Sequence, residues 1–157
     1  MLRKNGRKSC MILQQRVDYT TYDLAVKEIL ALSKNQYPSY ICVANVHMVM
    51  ESYDNKQYRE IVNSAALVTP DGMPLVWAIR KLGFNQAERV YGPKLMKELL
   101  EEYSKKGIPI GLYGGEQRVI DILIKKLPIQ YPGLIISYAV SPPFRSLSKD
   151  EEKNIIS

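Results

Sequence analysis

Histidine and cysteine are scarce in this chain of 157 residues, which has one histidine, His47, and two cysteines, Cys10 and Cys42. A single histidine excludes sites built from several histidine ligands. It leaves His47 as the one candidate for a histidine-based mechanism, beside an ordinary structural role. The cysteines lie in no CxxC or zinc-ligand spacing, and lone thiols on apolar runs read as buried side chains in a reducing compartment. No Cys/His nucleophile pair and no Gly-x-Ser-x-Gly elbow is present. Asp-x-Asp is missing, which excludes a divalent metal held by that motif on a sugar nucleotide. GxxxxGK[ST] is missing too, so P-loop ATP chemistry is unsupported. No apolar run approaches the roughly 18 residues of a membrane span. Only CMIL follows the basic start, too short for a signal-peptide core. These absences give a cytoplasmic reading. There is no RNA-binding aromatic motif, and the cations are scattered rather than interleaved with aromatics, so no nucleic-acid partner is expected.

What is present is basic and rich in tyrosine. The net charge of +6 favours anionic partners such as phosphates or an anionic membrane surface. Arg3, Lys4, Arg7 and Lys8 stand at the front without an acid. Residues 1–9 read as a flexible basic tail, either merely solvated or a weak tether to anionic lipid. The remaining 10–157 suit one domain. Tyrosine outnumbers phenylalanine 11 to 2, so most rings carry a hydroxyl and suit half-wet positions, including sugar or base stacking.

Along the chain, apolar strand-like runs alternate with helical periodicity. Strands are expected at 10–17, 39–45, 65–70, 108–115 and 134–140. Helices are expected after Thr20 or Thr21, across 46–64 with a break at Asp54-Asn55, over 73–82, from Pro93 to Gly107, and within EQRVIDILIKKLPIQYPG to about Leu127. SPPFRSLSKDEEK reads as a loop leading into a charged helix. The alternation predicts an α/β domain with a Rossmann-like, mostly parallel sheet and flanking helices. Ligands in such folds sit at the carboxyl ends of strands. Three strand ends carry unusual residues: Asn45, Asp71 and Tyr113-Gly114-Gly115. If the sheet forms in this way, the three can meet in one crevice.

Each candidate has a plain reading beside the functional one. Asp71 either caps the helix from Met73 or serves as a general base, with Gly72 allowing close approach. Asn45 either satisfies backbone at a strand end or orients a sugar or phosphate. Arg89 either pairs with a neighbour such as Glu88 or grips a diphosphate. Gly114-Gly115 offers a weak signal for an anion-binding turn.

Three stretches then converge on one family: VANVHMVMESYDNKQYREIVNSAALVTPDGMPLVWAIRKLG, ERVYGPKLMKELL and IGLYGGEQRVIDILIKKLPIQYPGL. In order and spacing they resemble the bacterial WecG/TagA/CpsF glycosyltransferases, from about residue 10 to residue 140. The resemblance implies a Rossmann-like fold and inverting transfer of a hexose, N-acetylmannosamine or a relative, from a UDP-sugar. The acceptor it implies is a sugar on an undecaprenyl-type lipid diphosphate, at the inner face of the membrane, in teichoic acid or surface-polysaccharide synthesis. No metal or other cofactor is implied. Asp71 falls on the family's proposed base and Arg89 on its diphosphate-binding arginine. Asn45 falls near the donor, and Gly114 and Gly115 on a turn lining the nucleotide-sugar pocket.

Two departures stand out. Val43 occupies a position where the family often has threonine. A later Gly-x-Pro-x-Gln-Glu type segment is not seen after Val140, so the expectation is a chain truncated relative to the family. A partial sheet of that kind favours self-association. The alternative function is a catalytically inactive remnant that binds a nucleotide sugar or a partner transferase.

Overall fold

The computed structural model describes residues 8–156. Arg3, Lys4 and Arg7 of the basic start lie outside that range, and the tail and tether readings with them. The described chain is α/β and divides into two compact units, one ending at Glu98 and one beginning at Leu99.

The first unit opens with β1 (Ser9–Ile12) and β2 (Gln15–Asp18), paired antiparallel. The sequence predicts one strand over 10–17; the chain instead folds back on itself. Leu13 and Gln14 both adopt positive φ, 46° and 70°. A two-residue turn of that hand matches the twist of the strands it joins, and no glycine announces it. Next come α1 (Tyr22–Leu32), β3 (Ile41–Ala44), α2 (Val46–Asp54), α3 (Lys56–Ser64), β4 (Leu67–Pro70) and α4 (Met73–Lys81). Thr21 caps α1, and Asn55 marks the expected break by capping α3. β3 and β4 pair in parallel, Ala44 opposite Pro70, as a βαβ arrangement requires.

The core of this unit consists of apolar clusters. Val49 of α2, Val62 of α3, Val68 of β4 and Leu75 of α4 form one cluster; Val17, Val76, Ile79 and Ala87 form another. A buried polar brace ties β2 to this core. The Arg16 guanidinium donates to the Asn63 carbonyl at 2.7 Å and the Ala65 carbonyl at 2.6 Å, and meets Asp18 at 3.2 Å. Asp18 in turn accepts from the Val68 N–H at 2.8 Å. Charges this deeply buried persist only when their lone pairs and protons find such partners.

Cys10 and Cys42 are free and half-buried. Burial pushes both thiols up, with the Asp18 charge adding to the effect at Cys10 and Arg16 opposing it at Cys42. Such thiols are poor nucleophiles.

α5 (Gly92–Lys106) runs across the division between the units. The second unit continues with β5 (Ile110–Tyr113), α6 (Gln117–Gln130), β6 (Ile136–Val140) and α7 (Lys149–Ile156). β5 and β6 pair in parallel with an irregularity at Ile110/Gly111. Leu100, Leu127 and Leu134 form its core. The sequence predicts that α6 ends near Leu127; instead Pro128 lies inside the helix. Leu127 anchors that turn in the core, while Ile124, whose carbonyl loses its donor to the proline, is exposed. Water can therefore satisfy the carbonyl. α7 starts with a capping box: Ser148 Oγ accepts from the Glu151 N–H at 3.3 Å, and Glu151 Oε2 accepts from the Ser148 N–H at 2.8 Å.

Candidate active site

β3 and β4 lie side by side, so the residues that follow them are neighbours. Asn45 follows β3, and its side-chain carbonyl accepts from the Met48 N–H at 3.0 Å, capping α2. That is the plain reading of Asn45, and it leaves the amide nitrogen of this exposed residue without an acceptor among the described residues. Asp71 follows β4, and its backbone N–H donates to the Ala44 carbonyl at 2.7 Å, extending the parallel ladder. Gly72 lies beside Asn45: a methyl added to it would sit 4.0 Å from Asn45 Cα.

Asp71 does not cap α4. The capping position is Gly72, with no side-chain cap bond, and Pro74 in the first turn removes one of the orphan donors. The Asp71 carboxylate turns instead to the segment 89–92. Arg89 Nη2 donates to Asp71 Oδ1 at 3.1 Å; its Nε lies 3.3 Å from the same oxygen and 3.1 Å from the Asp71 carbonyl. Of the partners open to Arg89 in sequence, Asp71 and not Glu88 is the one it meets, because the Val90 N–H donates to the Pro70 carbonyl at 2.8 Å and lays the segment along the end of β4. Asp71 Oδ2 has one long contact, from the Gly92 N–H at 3.4 Å. Gly92 opens α5, so the positive end of that helix faces this oxygen. Val43 flanks the same spot: a methyl added to Gly92 would lie 3.5 Å from Val43 Cγ1 and 3.9 Å from Asp71 Oδ2.

Arg89 is itself supported. Its guanidinium carbon stands 4.8 Å from the centre of the Tyr91 ring. The Tyr91 N–H donates to the Tyr22 hydroxyl at 2.9 Å, and Lys94 Nζ lies 3.9 Å over the Tyr22 ring. The pair is not sealed: the Asp71 side chain is 19% exposed and the Arg89 side chain 46%. A carboxylate with one oxygen docked and the other in a single long contact can accept a proton from a hydroxyl placed within hydrogen-bond reach. A half-exposed guanidinium has a donor edge left for a phosphate.

Asn45, Gly72, Asp71 and Arg89 are thus brought together in the first unit. Tyr91 and Gly92 of the ERVYG block join them, and so does Tyr22, which no motif marks. Tyr22 stands 69 positions from Tyr91 in sequence, a separation that pattern reading does not bridge. His47 is exposed in the first turn of α2.

Tyr113, Gly114 and Gly115 belong to the second unit, at the end of β5. Both glycines have positive φ, 103° and 78°, which an L side chain rarely adopts. The Gly114 N–H donates to the Val140 carbonyl at 3.0 Å, and Ser141 Oγ donates to the Gly115 carbonyl at 2.6 Å. Tyr113 lines a hollow of about 390 Å³ with Pro142, Pro143, Phe144, Arg145 and Leu147. Among the described residues, no three His, Cys, Asp or Glu converge as a metal site, and no helix is long and apolar enough to cross a membrane.

Comparison with known proteins bears on this geometry. The model of the glycosyl transferase WecG/TagA/CpsF family matches residues 10–157. A protein of Bacillus spizizenii is 27% identical over 99 residues, 63% of this chain and 38% of the relative. One of Bacillus subtilis is 28% identical over 97 residues, 62% of this chain and 38% of the relative. Both are described as N-acetylglucosaminyldiphosphoundecaprenol N-acetyl-beta-D-mannosaminyltransferases. The chain spans under half the length of these curated relatives.

Proposed function

The chain belongs to the glycosyl transferase WecG/TagA/CpsF family, and from that premise we propose that it transfers N-acetylmannosamine, or a close relative, from a UDP-sugar to a sugar on an undecaprenyl-type lipid diphosphate. The relatives' names supply the sugar and the acceptor class. The observation that carries the chemistry is the split carboxylate of Asp71, with Oδ1 held by Arg89 and Oδ2 left with a single 3.4 Å contact.

In the proposed step the acceptor hydroxyl gives its proton to Asp71 Oδ2. Its oxygen bonds the anomeric carbon from the face opposite UDP, so configuration inverts. The bond from that carbon to the diphosphate oxygen breaks, and the electron pair leaves with UDP. Arg89 has two tasks. It fixes the carboxylate orientation, and its exposed edge meets negative charge growing on the leaving diphosphate. Asn45 offers its unused amide nitrogen to a sugar or phosphate oxygen. Gly114-Gly115 and Tyr113 are assigned to the nucleotide-sugar pocket. No metal is assigned a role: Asp-x-Asp is absent, and a fixed arginine can meet diphosphate charge in its place. The reaction belongs at the inner face of the cell membrane, in the synthesis of teichoic acid or a related surface polymer.

Calorimetry with UDP tests the donor half of this reading. Binding of equal strength with and without magnesium is expected, and it should weaken at least tenfold in Arg89→Ala, the loss of roughly one charge-assisted hydrogen bond. Binding that requires magnesium, or that ignores Arg89, would contradict the assignment.

A further inference from the structure

The candidate base sits where two helices begin, and both helices expose apolar side chains there. Val49 of α2 and Leu75 of α4 share one core cluster, so the two helices pack in the same layer. On α2, beside the buried Val49, the side chains of Val46, Met50 and Tyr53 are 44%, 43% and 51% exposed. Their spacing of four and three residues puts them on one line of the helix. On the outer side of α4, Met73 and Trp77 are exposed, four residues apart, and Leu82 follows just past its end. Trp77 is the only tryptophan of the chain and is 61% exposed. The lines start beside each other, because Val46 follows Asn45 and Met73 follows Gly72, and those two residues are in contact range.

Along α4 itself the charge has one sign. Arg80 and Lys81 are exposed, and no Asp or Glu occurs between Asp71 and Glu88. On α2, Glu51 and Asp54 fall on average roughly 100° round the axis from the Val46–Met50–Tyr53 line, at 100° per residue. Exposed tryptophan and methionine flanked by cations, on a helix whose other face is core, is the pattern of a surface that lies in the headgroup region of an anionic bilayer.

We infer that the exposed apolar lines of α2 and α4 form a docking surface for an anionic lipid bilayer, with Trp77 inserted at the headgroup level. The inference rests partly on the proposed reaction. A sugar carried on a membrane-embedded diphosphate can bring its hydroxyl to Asp71 only if the surface around Asp71 faces the bilayer. Nothing in the surface requires the acceptor itself to be bound first.

Trp77 makes the test direct, since all tryptophan emission of the chain comes from this face. The full chain is mixed with vesicles of phosphatidylcholine alone, or of phosphatidylcholine with phosphatidylglycerol, and emission and co-sedimentation are followed. Co-sedimentation also reports the basic start at Arg3, Lys4 and Arg7; the emission shift reports this face. A blue shift confined to the anionic vesicles is expected. Lys81→Glu should weaken it by roughly tenfold, the size expected when a cation near an anionic surface becomes an anion. Met50→Ser should weaken it with circular dichroism unchanged. A folded chain whose emission ignores both vesicles would overturn the inference. So would a shift that grows with protein concentration without lipid, which would give the face to a second copy of the chain. Equal shifts with neutral vesicles and in Lys81→Glu would remove the charge argument and with it the anionic partner. UDP calorimetry is run without lipid, so failure of the proposed reaction and failure of the docking surface are read separately.

Discussion

The chain builds a parallel strand pair twice, and the two pairs are finished differently. β3–β4 keeps an unbroken register, and every residue of β4 is buried. β5–β6 carries an irregularity, and β5 alternates between half-buried and exposed. The difference lies in what flanks them. β4 has the Arg16–Asp18 brace reaching its backbone, and its Val68 is packed in one cluster with residues of α2, α3 and α4. At the end of β4 stands a charged pair held by several bonds from residues far away in sequence. At the end of β5 stands a turn of two glycines, fixed by backbone and by Ser141. Rigid surroundings suit a group that must hold a carboxylate in one orientation, whereas a turn with no side chains suits close approach of a ligand backbone or phosphate.

The largest expected effect breaks the first pair's chemistry and spares its fold. Asp71→Asn should lower transfer by roughly 10²–10⁴, the usual share of a general base. UDP binding should persist. Turnover with a UDP-sugar and a lipid-diphosphate acceptor, beside calorimetry on the same sample, measures both. Loss of binding together with turnover would make Asp71 a structural partner of Arg89 instead.

Next is the brace itself. Asp18→Ala removes the carboxylate that meets the buried Arg16 guanidinium and accepts from the Val68 N–H, and should cost about 3–5 kcal/mol. Urea denaturation gives the value. A cost near zero would mean that the brace does not stabilise β4.

The third prediction perturbs the other pair. Gly114→Ala forces a side chain into a φ of 103° and should cost about 1–3 kcal/mol. UDP affinity should fall as well. If stability drops while UDP binding is unchanged, the turn lies outside the nucleotide-sugar pocket.

The smallest effect is acid-dependent and confined to the second unit. Glu151 is held at about 2, first by the Arg145 guanidinium and then by the Ser148 N–H. Its folded value lies below the ordinary 4.5, so the contribution of this pair is fully present above about 4.5 and is lost as pH falls through about 2. A carboxyl titration followed by NMR should show the low midpoint, and Arg145→Ala should return it upward. An unshifted midpoint in the parent chain would mean that the Arg145 bridge is absent in solution.

Much of this was written locally. Alternating apolar runs and helical periodicity placed the elements, because burial of one face imposes a period on the residues that form it. Thr21, Asn55 and Pro74 act within a few residues of themselves, so caps and helix starts could be found from sequence. The hairpin could not: Leu13 and Gln14 are ordinary residues in a conformation that the pairing of β1 with β2 imposes. Nor could the length of α6, where the burial of Leu127 outweighs the proline after it.

The same division runs through the site. Sequence alone determined that an aspartate would end β4 beside a glycine, that an asparagine would end β3, and that an arginine would stand in the ERVYG block. It left helix capping open for Asp71 and a local ion pair open for Arg89. Only the tertiary structure removed the cap and the Glu88 pairing and joined the two residues to each other, because that outcome depends on where residues 89–92 lie, and a backbone hydrogen bond from Val90 to Pro70 puts them against the end of β4. That bond joins positions 20 apart, and its formation depends on packing that no local pattern encodes.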